Sequence, residues 1–310
     1  MHPAPIAPGN GCRYAVKCPI AVWNPSHIRR DDERGPACRF GVADDMKIIG
    51  AWKAFLLLCL LAIVLLHGCK LGTGTDSRKA REFQKEIETG EQLIEKGRKK
   101  AALDAFDKAL ASMPSDFDAF ATVIAILMGE EMYEESIPYI KRAIAVPPRG
   151  KSRSHLERER LQDSGMYTAL GDVYYHLKKV DLAERAYRRA VRLNGRNATV
   201  YNNWGYMYAD LGIKPDEALR LTKRAVDLDP GNGCFIDSLG WAYYRKGRTK
   251  NALELLKKAV ELYPSDADVR YHLGKAYEAQ GDMKSAWIEY QKATALSPPH
   301  RSGSNTGTGK

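Results

Sequence analysis

The sequence predicts an all-α protein, a solenoid of helix-turn-helix repeats behind a short apolar leader, on three observations. Glycines at 171, 205, 240 and 274 are spaced 34, 35 and 34 residues apart, and Tyr174, Tyr208, Tyr243 and Tyr277 each follow three residues later. Alanines keep the same step at 183, 218, 252 and 286 and again at 190, 225, 259 and 293, with Pro230, Pro264 and Pro298 closing the last three units. A period of this length marks an array whose units bury their apolar faces against one another. Third, an unbroken run of 13 apolar residues, Ala54 to Leu66, stops just short of Cys69.

Composition narrows the class. A chain that is 44% hydrophobic and 28% charged is built for water apart from that one run, which excludes a polytopic membrane protein. The net charge of +10 is diffuse: from Cys69 onward there are 40 basic and 33 acidic residues. No basic block is interleaved with aromatics, so nucleic acid is not an expected partner. Cys12, Cys18 and Cys38 lack metal-ligand spacing, and Cys234 reads as a small semi-buried residue, so neither a metal nor another cofactor is expected.

From the N-terminus, residues 1–45 are read as an extension that is disordered or not translated, because Met46 heads a complete leader. Lys47 and Lys53 give residues 46–68 a positive start, and the 13-residue core that follows fits a signal peptide, whereas a bilayer span needs about 20 residues. The leader's end, Leu66, His67, Gly68 and Cys69, resembles the lipobox of bacterial lipoproteins. That resemblance implies that Cys69 becomes the lipid-modified first residue of the mature chain, with Leu66 and Gly68 as the recognition residues. Two or more acyl chains on one cysteine suffice for stable anchoring. Residues 69–82, rich in small residues at their start, are expected to be a flexible tether.

Two divergent units occupy 83–150. Gly90, Leu93, Ala102, Phe106, Ala109 and Pro114 fit the first; Phe120, Val123, Leu127, Ile140, Ala143 and Pro148 fit the second. Residues 151–163 are a charged linker, expected to be a loop and then one extra helical turn. Four regular units fill 164–300, and 301–310 is a polar, disordered tail. Within a regular unit, Tyr167, Leu170 and Tyr174 stand at i, i+3 and i+7, and Ala183, Tyr187 and Ala190 at i, i+4 and i+7. Each set is one stripe of a helix, and the two stripes face each other. Gly171 and Ala183 are expected at the closest approach of the two helices.

These positions, together with Leu239, Gly240, Tyr243, Ala252, Leu256, Ala259 and Pro264 of a later unit, resemble the tetratricopeptide repeat (TPR), whose pattern is W-x2-L-G-x2-Y, then A-x3-F, then P. The resemblance implies a superhelix whose first helices line a concave groove. Counting the face offset from the Gly/Tyr stripe selects Asn202, Tyr206, Asp237, Trp241, Tyr244, Arg245, Tyr271 and Lys275 as groove residues, with Thr168, Asp172, Tyr175, His176, Asp210 and Glu278 in register. Aromatic rings mixed with Asn, Asp, Arg and Lys suit an extended or helical peptide. The alternative is that these rings pack between units.

Catalysis is not expected. After Cys69 there is no HExxH, no nucleophile elbow and no glycine-rich loop opening a helix, and the terminal GTGK lacks phosphate-loop spacing. His176 and His272 fall on different repeats without acidic or cysteine partners at ligand spacing. The reading is a membrane-anchored TPR scaffold that binds protein or peptide segments and supports assembly of an envelope complex. By resemblance to Gram-negative lipoproteins, Lys70 rather than Asp after Cys69 implies sorting to the outer membrane, with the array facing the periplasm. The alternatives are a self-associating structural lipoprotein forming a homo-oligomer, a type IV pilus or secretion assembly factor, or a regulator of cell-wall hydrolases.

Overall fold

The computed structural model describes residues 74–146 and 153–296, and among these it contains twelve helices and no strands. Residues 1–73, 147–152 and 297–310, and with them the leader, Leu66, Gly68, Cys69 and the tail, lie outside the described residues. The chain divides into two compact units at Pro114/Ser115.

In the first unit, α1 (Gly74–Glu95) and α2 (Lys99–Ser112) form a hairpin. The stretch expected as a tether to residue 82 is therefore helical from Gly74. Past that glycine the segment has no Pro, and Lys79, Ala80, Arg81 and Glu82 are helix formers. Local side-chain bonds at four-residue spacing reinforce it: Arg81 donates to the Ser77 carbonyl at 3.2 Å and Gln84 to Glu88 at 3.0 Å.

The second unit holds five hairpins. They are α3 (Phe117–Gly129) with α4 (Tyr133–Ile144), α5 (Arg153–His176) with α6 (Val180–Leu193), α7 (Ala198–Leu211) with α8 (Pro215–Leu228), α9 (Gly233–Arg245) with α10 (Thr249–Leu262), and α11 (Ala267–Gln280) with α12 (Met283–Leu296). Helix α5 corrects a second expectation. Instead of a loop and one extra turn, it runs unbroken from Arg153, because SHLERERLQD has neither Pro nor Gly to stop it.

Four of the hairpins' first helices, α3, α7, α9 and α11, start on a side-chain cap. Asp116, Asn197, Asn232 and Asp266 accept hydrogen bonds from main-chain N–H groups two or three residues ahead. Three of these caps follow Pro114, Pro230 and Pro264 by two residues. Proline ends the preceding helix and the Asn or Asp opens the next one, so the repeat boundary is written twice.

First and second helices meet at the repeat glycines, but not against the alanine expected there. A Cβ on Gly171 would lie 2.4 Å from the Tyr187 ring, one on Gly90 2.2 Å from Phe106, one on Gly240 2.7 Å from Leu256 and one on Gly274 2.5 Å from Tyr290. The glycine makes room for the large residue four places after the repeat alanine, while Ala183 itself is fully buried behind it. In the α7–α8 hairpin Thr222 fills that place, and the smaller side chain lets the helices close until a Cβ on Gly205 would sit 2.9 Å from the Thr222 main-chain nitrogen.

That difference separates two otherwise identical substitutions. Alanine gains about 1 kcal/mol of helix propensity over glycine. At Gly205 it meets main chain that cannot yield, so Gly205→Ala is expected to cost about 2 kcal/mol net. At Gly274 it meets the half-buried Tyr290 ring, which can swing outward, so Gly274→Ala is expected to change stability by less than about 1 kcal/mol. Urea unfolding of the two variants decides it; equal losses would show that the aromatic in this position is as immovable as main chain.

Candidate functional site

The Gly, Leu and Tyr stripe of each first helix is taken up by its own second helix, so the opposite side of α5, α7, α9 and α11 forms a separate surface. First helices of successive hairpins also touch one another, α5 with α7, α7 with α9 and α9 with α11. Residues at one repeat position therefore face their counterparts in the next repeat.

This stacking creates a ladder of polar contacts. Tyr175 donates to Asp210 Oδ2 at 2.6 Å across 35 residues, and Asn203 Nδ2 donates to both Asp172 oxygens at 3.0 Å across 31. Tyr187 adds a third bond to Asp172 at 2.7 Å. Between α9 and α11, His272 Nδ1 lies 3.0 and 2.9 Å from the two Asp237 oxygens.

Burial shapes the electrostatics of each pair. It outweighs the donors from Tyr187 and Asn203 and lifts the Asp172 carboxyl to about 7. Burial pulls the His272 imidazole down, but the carboxylates of Asp237, Asp268 and Asp210 more than offset it, and the net shift is upward. His176 moves the other way, to about 4, through burial and the nearby Lys178 cation. Its neutral ring stacks on Tyr133 at 4.4 Å and 3°.

An aromatic block lies beside the His272–Asp237 pair. Trp241 stacks on His272 with centroids 4.3 Å apart and on Tyr244 at 4.8 Å. Tyr206 and Tyr271 approach the same imidazole at 6.1 and 6.2 Å, and the Arg245 guanidinium sits 5.7 Å from the Trp241 ring. The structure thus brings together Asn202, Tyr206, Asp237, Trp241, Tyr244, Arg245 and Tyr271, but not as open groove walls. Asn202, Tyr206, Asp237 and Trp241 are buried, Tyr244, Tyr271 and Lys275 are half-buried, and Arg245 is exposed. Lys275 is paired with Glu278 at 2.6 Å.

Two readings of the sequence change. Asp237, expected to fix a ligand's register, is fully buried and engaged by His272. His272, expected to lack an acidic partner, has one a single repeat away. The position two before each glycine, occupied by Asn203, Ser238 and His272, is the one the face count missed. Part of the signal was present: three polar residues recur there at spacings of 35 and 34, and two of them bond back to the preceding first helix, Asn203 to Asp172 and His272 to Asp237.

Three buried polar atoms on this surface have no hydrogen-bond partner: Asn202 Oδ1, Ser238 Oγ and Trp241 Nε1. They comprise an acceptor, a hydroxyl that can serve either way and a donor, on two adjacent first helices. Among the described residues no group of three His, Cys, Asp or Glu side chains could hold a metal ion, and no helix is long and apolar enough to cross a membrane.

Comparison with known proteins agrees with the repeat. Tetratricopeptide-repeat family models match residues 168–233 and 267–300, and a TPR repeat model matches 240–281. The chain therefore carries TPR repeats. A STIP1 homolog of Dictyostelium discoideum is 29% identical over 122 residues, 39% of this chain and 20% of that protein. A TPR repeat-containing protein of Pseudomonas aeruginosa is 35% identical over 77 residues, 24% of this chain and 13% of that one. The chain thus spans a fifth or less of the length of these relatives. Among solved structures, MamA from Desulfovibrio magneticus RS-1 aligns at 18% identity and TM-score 0.44 over 58% of this chain and 94% of its own. YrrB, described as a TPR protein with an unusual peptide-binding site, aligns at 21% identity and TM-score 0.41 over 63% of this chain and 94% of its own.

Proposed function

We propose that this TPR-containing interaction scaffold grips peptide segments of protein partners along α7, α9 and α11, and that a lipidated Cys69 holds it on a bacterial envelope membrane. The trio of unpartnered atoms carries the first part. A buried polar group without a partner costs about 1–3 kcal/mol. A peptide main chain presents the missing complement at regular spacing: a C=O for Trp241 Nε1, an N–H for Asn202 Oδ1, and either for Ser238 Oγ. The half-buried Tyr244 and Tyr271 rings beside them supply rigid area for a ligand side chain, with the buried Trp241 and Tyr206 rings holding them in place.

The test separates binding from packing. Trp241→Ala would remove a stacked ring and blur the two, whereas Trp241→Phe keeps an aromatic ring while removing the N–H and part of the ring area, and Asn202→Leu removes the acceptor together with its Nδ2 donor. With a peptide selected from a displayed random library against the full chain, each variant is expected to weaken affinity about tenfold, one hydrogen bond's worth. The lost Trp241 Nε1 and Asn202 Oδ1 atoms bond nothing within the chain, so the unfolding cost should come only from the trimmed indole in the first variant and, in the second, from the Asn202 Nδ2 bond to Asn203 Oδ1 at 3.2 Å, about 1 kcal/mol each. Unchanged affinity in both variants would reject this surface as the site.

The membrane part rests on the leader. A 13-residue apolar core is short for a span, Leu66-His67-Gly68-Cys69 is lipobox-like, and Lys70 favours outer-membrane sorting with the array facing the periplasm. Metabolic palmitate labelling checks it: label should disappear with Cys69→Ala, and label that persists would remove the lipid anchor from the reading. Support of an envelope assembly is the role such a tethered binder would fill.

A further inference from the structure

The last helix of the described residues, α12, leaves an apolar stripe uncovered. Met283 is 60% exposed and Trp287, one turn on, 56%. Gln291 and Thr294 continue the same side, so from Met283 to Thr294 that stripe carries no charge. Ile288 and Leu296 border it, also exposed.

The repeat register shows what such a position does elsewhere. Trp287 follows Ala286 as Leu253 follows Ala252 and Leu219 follows Ala218. Leu253 is buried among Leu256, Leu273 and Ala276, where α11 covers α10. Leu219 packs against the core that includes Trp241 and Ala242 of α9. At both earlier positions the next hairpin supplies the cover; at Trp287 the side chain is larger and open to water.

We propose that a second copy of the chain covers this stripe, α12 against α12 about a two-fold axis. Residues 297–310, SPPHRSGSNTGTGK, contain no large apolar side chain, so that segment offers nothing for Trp287 to pack on. Stacking α12 of one copy onto α1 of another fares no better, since α1 presents exposed Arg78, Lys79, Arg81, Glu82 and Lys85. One cation can sit over the indole face, but burying five charges against a single uncharged stripe would leave most of them uncompensated. An isologous pairing sets the uncharged stripe against itself and buries no charge. One helix face per copy is a small interface, so pairing is expected to be weak and concentration-dependent.

Sedimentation velocity of the full chain in mild detergent, over a wide concentration range, tests this. The mass is expected to rise to that of two copies, and the Met283→Glu/Trp287→Glu variant, with unchanged far-UV circular dichroism, is expected to need at least about tenfold more protein to pair. A chain that keeps the mass of one copy throughout would overturn the proposal. So would a variant that pairs as well as the parent, which would place pairing elsewhere, in the leader for example. Slow hydrogen exchange across α12 in dilute single copies would also overturn it, since the chain would then be covering its own stripe.

Discussion

Replacing His272 with leucine is expected to destabilise the array by about 3–5 kcal/mol, the cost of leaving a buried carboxylate without its partner. Asp237 is fully buried and His272 nearly so, which leaves little room for water to replace the lost contact. The double variant Asp237→Leu/His272→Leu is expected to recover most of that loss, because two apolar side chains remove the charge as well as the bond. Recovery would fall short by about 1 kcal/mol, the Trp241–His272 stacking. If single and double variants lost equally in urea unfolding, the pair would not be coupled. The pair also gives a pH signature. With the folded imidazole held above its ordinary 6.5, its stabilisation is complete below 6.5 and is lost as pH rises through the folded value. His272→Leu should therefore cost more at pH 6 than at pH 9.

The array was legible because a repeat records the same instruction several times. Glycine, tyrosine and alanine at fixed offsets, with a proline and an Asn or Asp at three of the boundaries, determine hairpins independently of any one residue. The tether and the linker were misjudged where that redundancy stops: Gly72 and Gly74 suggested flexibility, and Arg149 to Arg153 suggested a loop, while the helix-forming residues after them set the boundaries. The site was only half legible. Counting along one helix places Asn202, Tyr206, Asp237 and Trp241 on one side, but whether such a side is open or stacked depends on the next repeat. Counting across repeats, at 35, finds Tyr175 with Asp210 and Asp237 with His272. The unpartnered atoms on Asn202, Ser238 and Trp241 were not legible by either count, because a missing bond depends on where every neighbour points.

Stability is expected to fall as pH rises from about 4 to 7 through one further group, Asp172, and an asparagine there should abolish that slope. The carboxyl shifts from the ordinary 3.8 to about 7, so the folded chain holds a proton that the unfolded chain releases. Its contribution is complete below 3.8 and lost as pH climbs through about 7. By linkage the shift is worth up to about 4 kcal/mol. At pH 4 the carboxyl is protonated and neutral, as an asparagine amide is, so parent and Asp172→Asn should differ by no more than about 1 kcal/mol. At pH 8 the variant should be the more stable by up to about 4 kcal/mol. Tyr187→Phe supplies the opposite control, since it removes a donor that favours the charged form and should extend the slope to higher pH. Because Asn203 reaches from α7 to this carboxyl on α5, the charge falls on the contact between two first helices. Loss of exchange protection should then begin where α5 meets α7, before α9 and α11 are affected. Stability curves that stay parallel between parent and Asp172→Asn from pH 4 to 8 would show the carboxyl ionised throughout, and the Tyr187 and Asn203 bonds sufficient to hold it so.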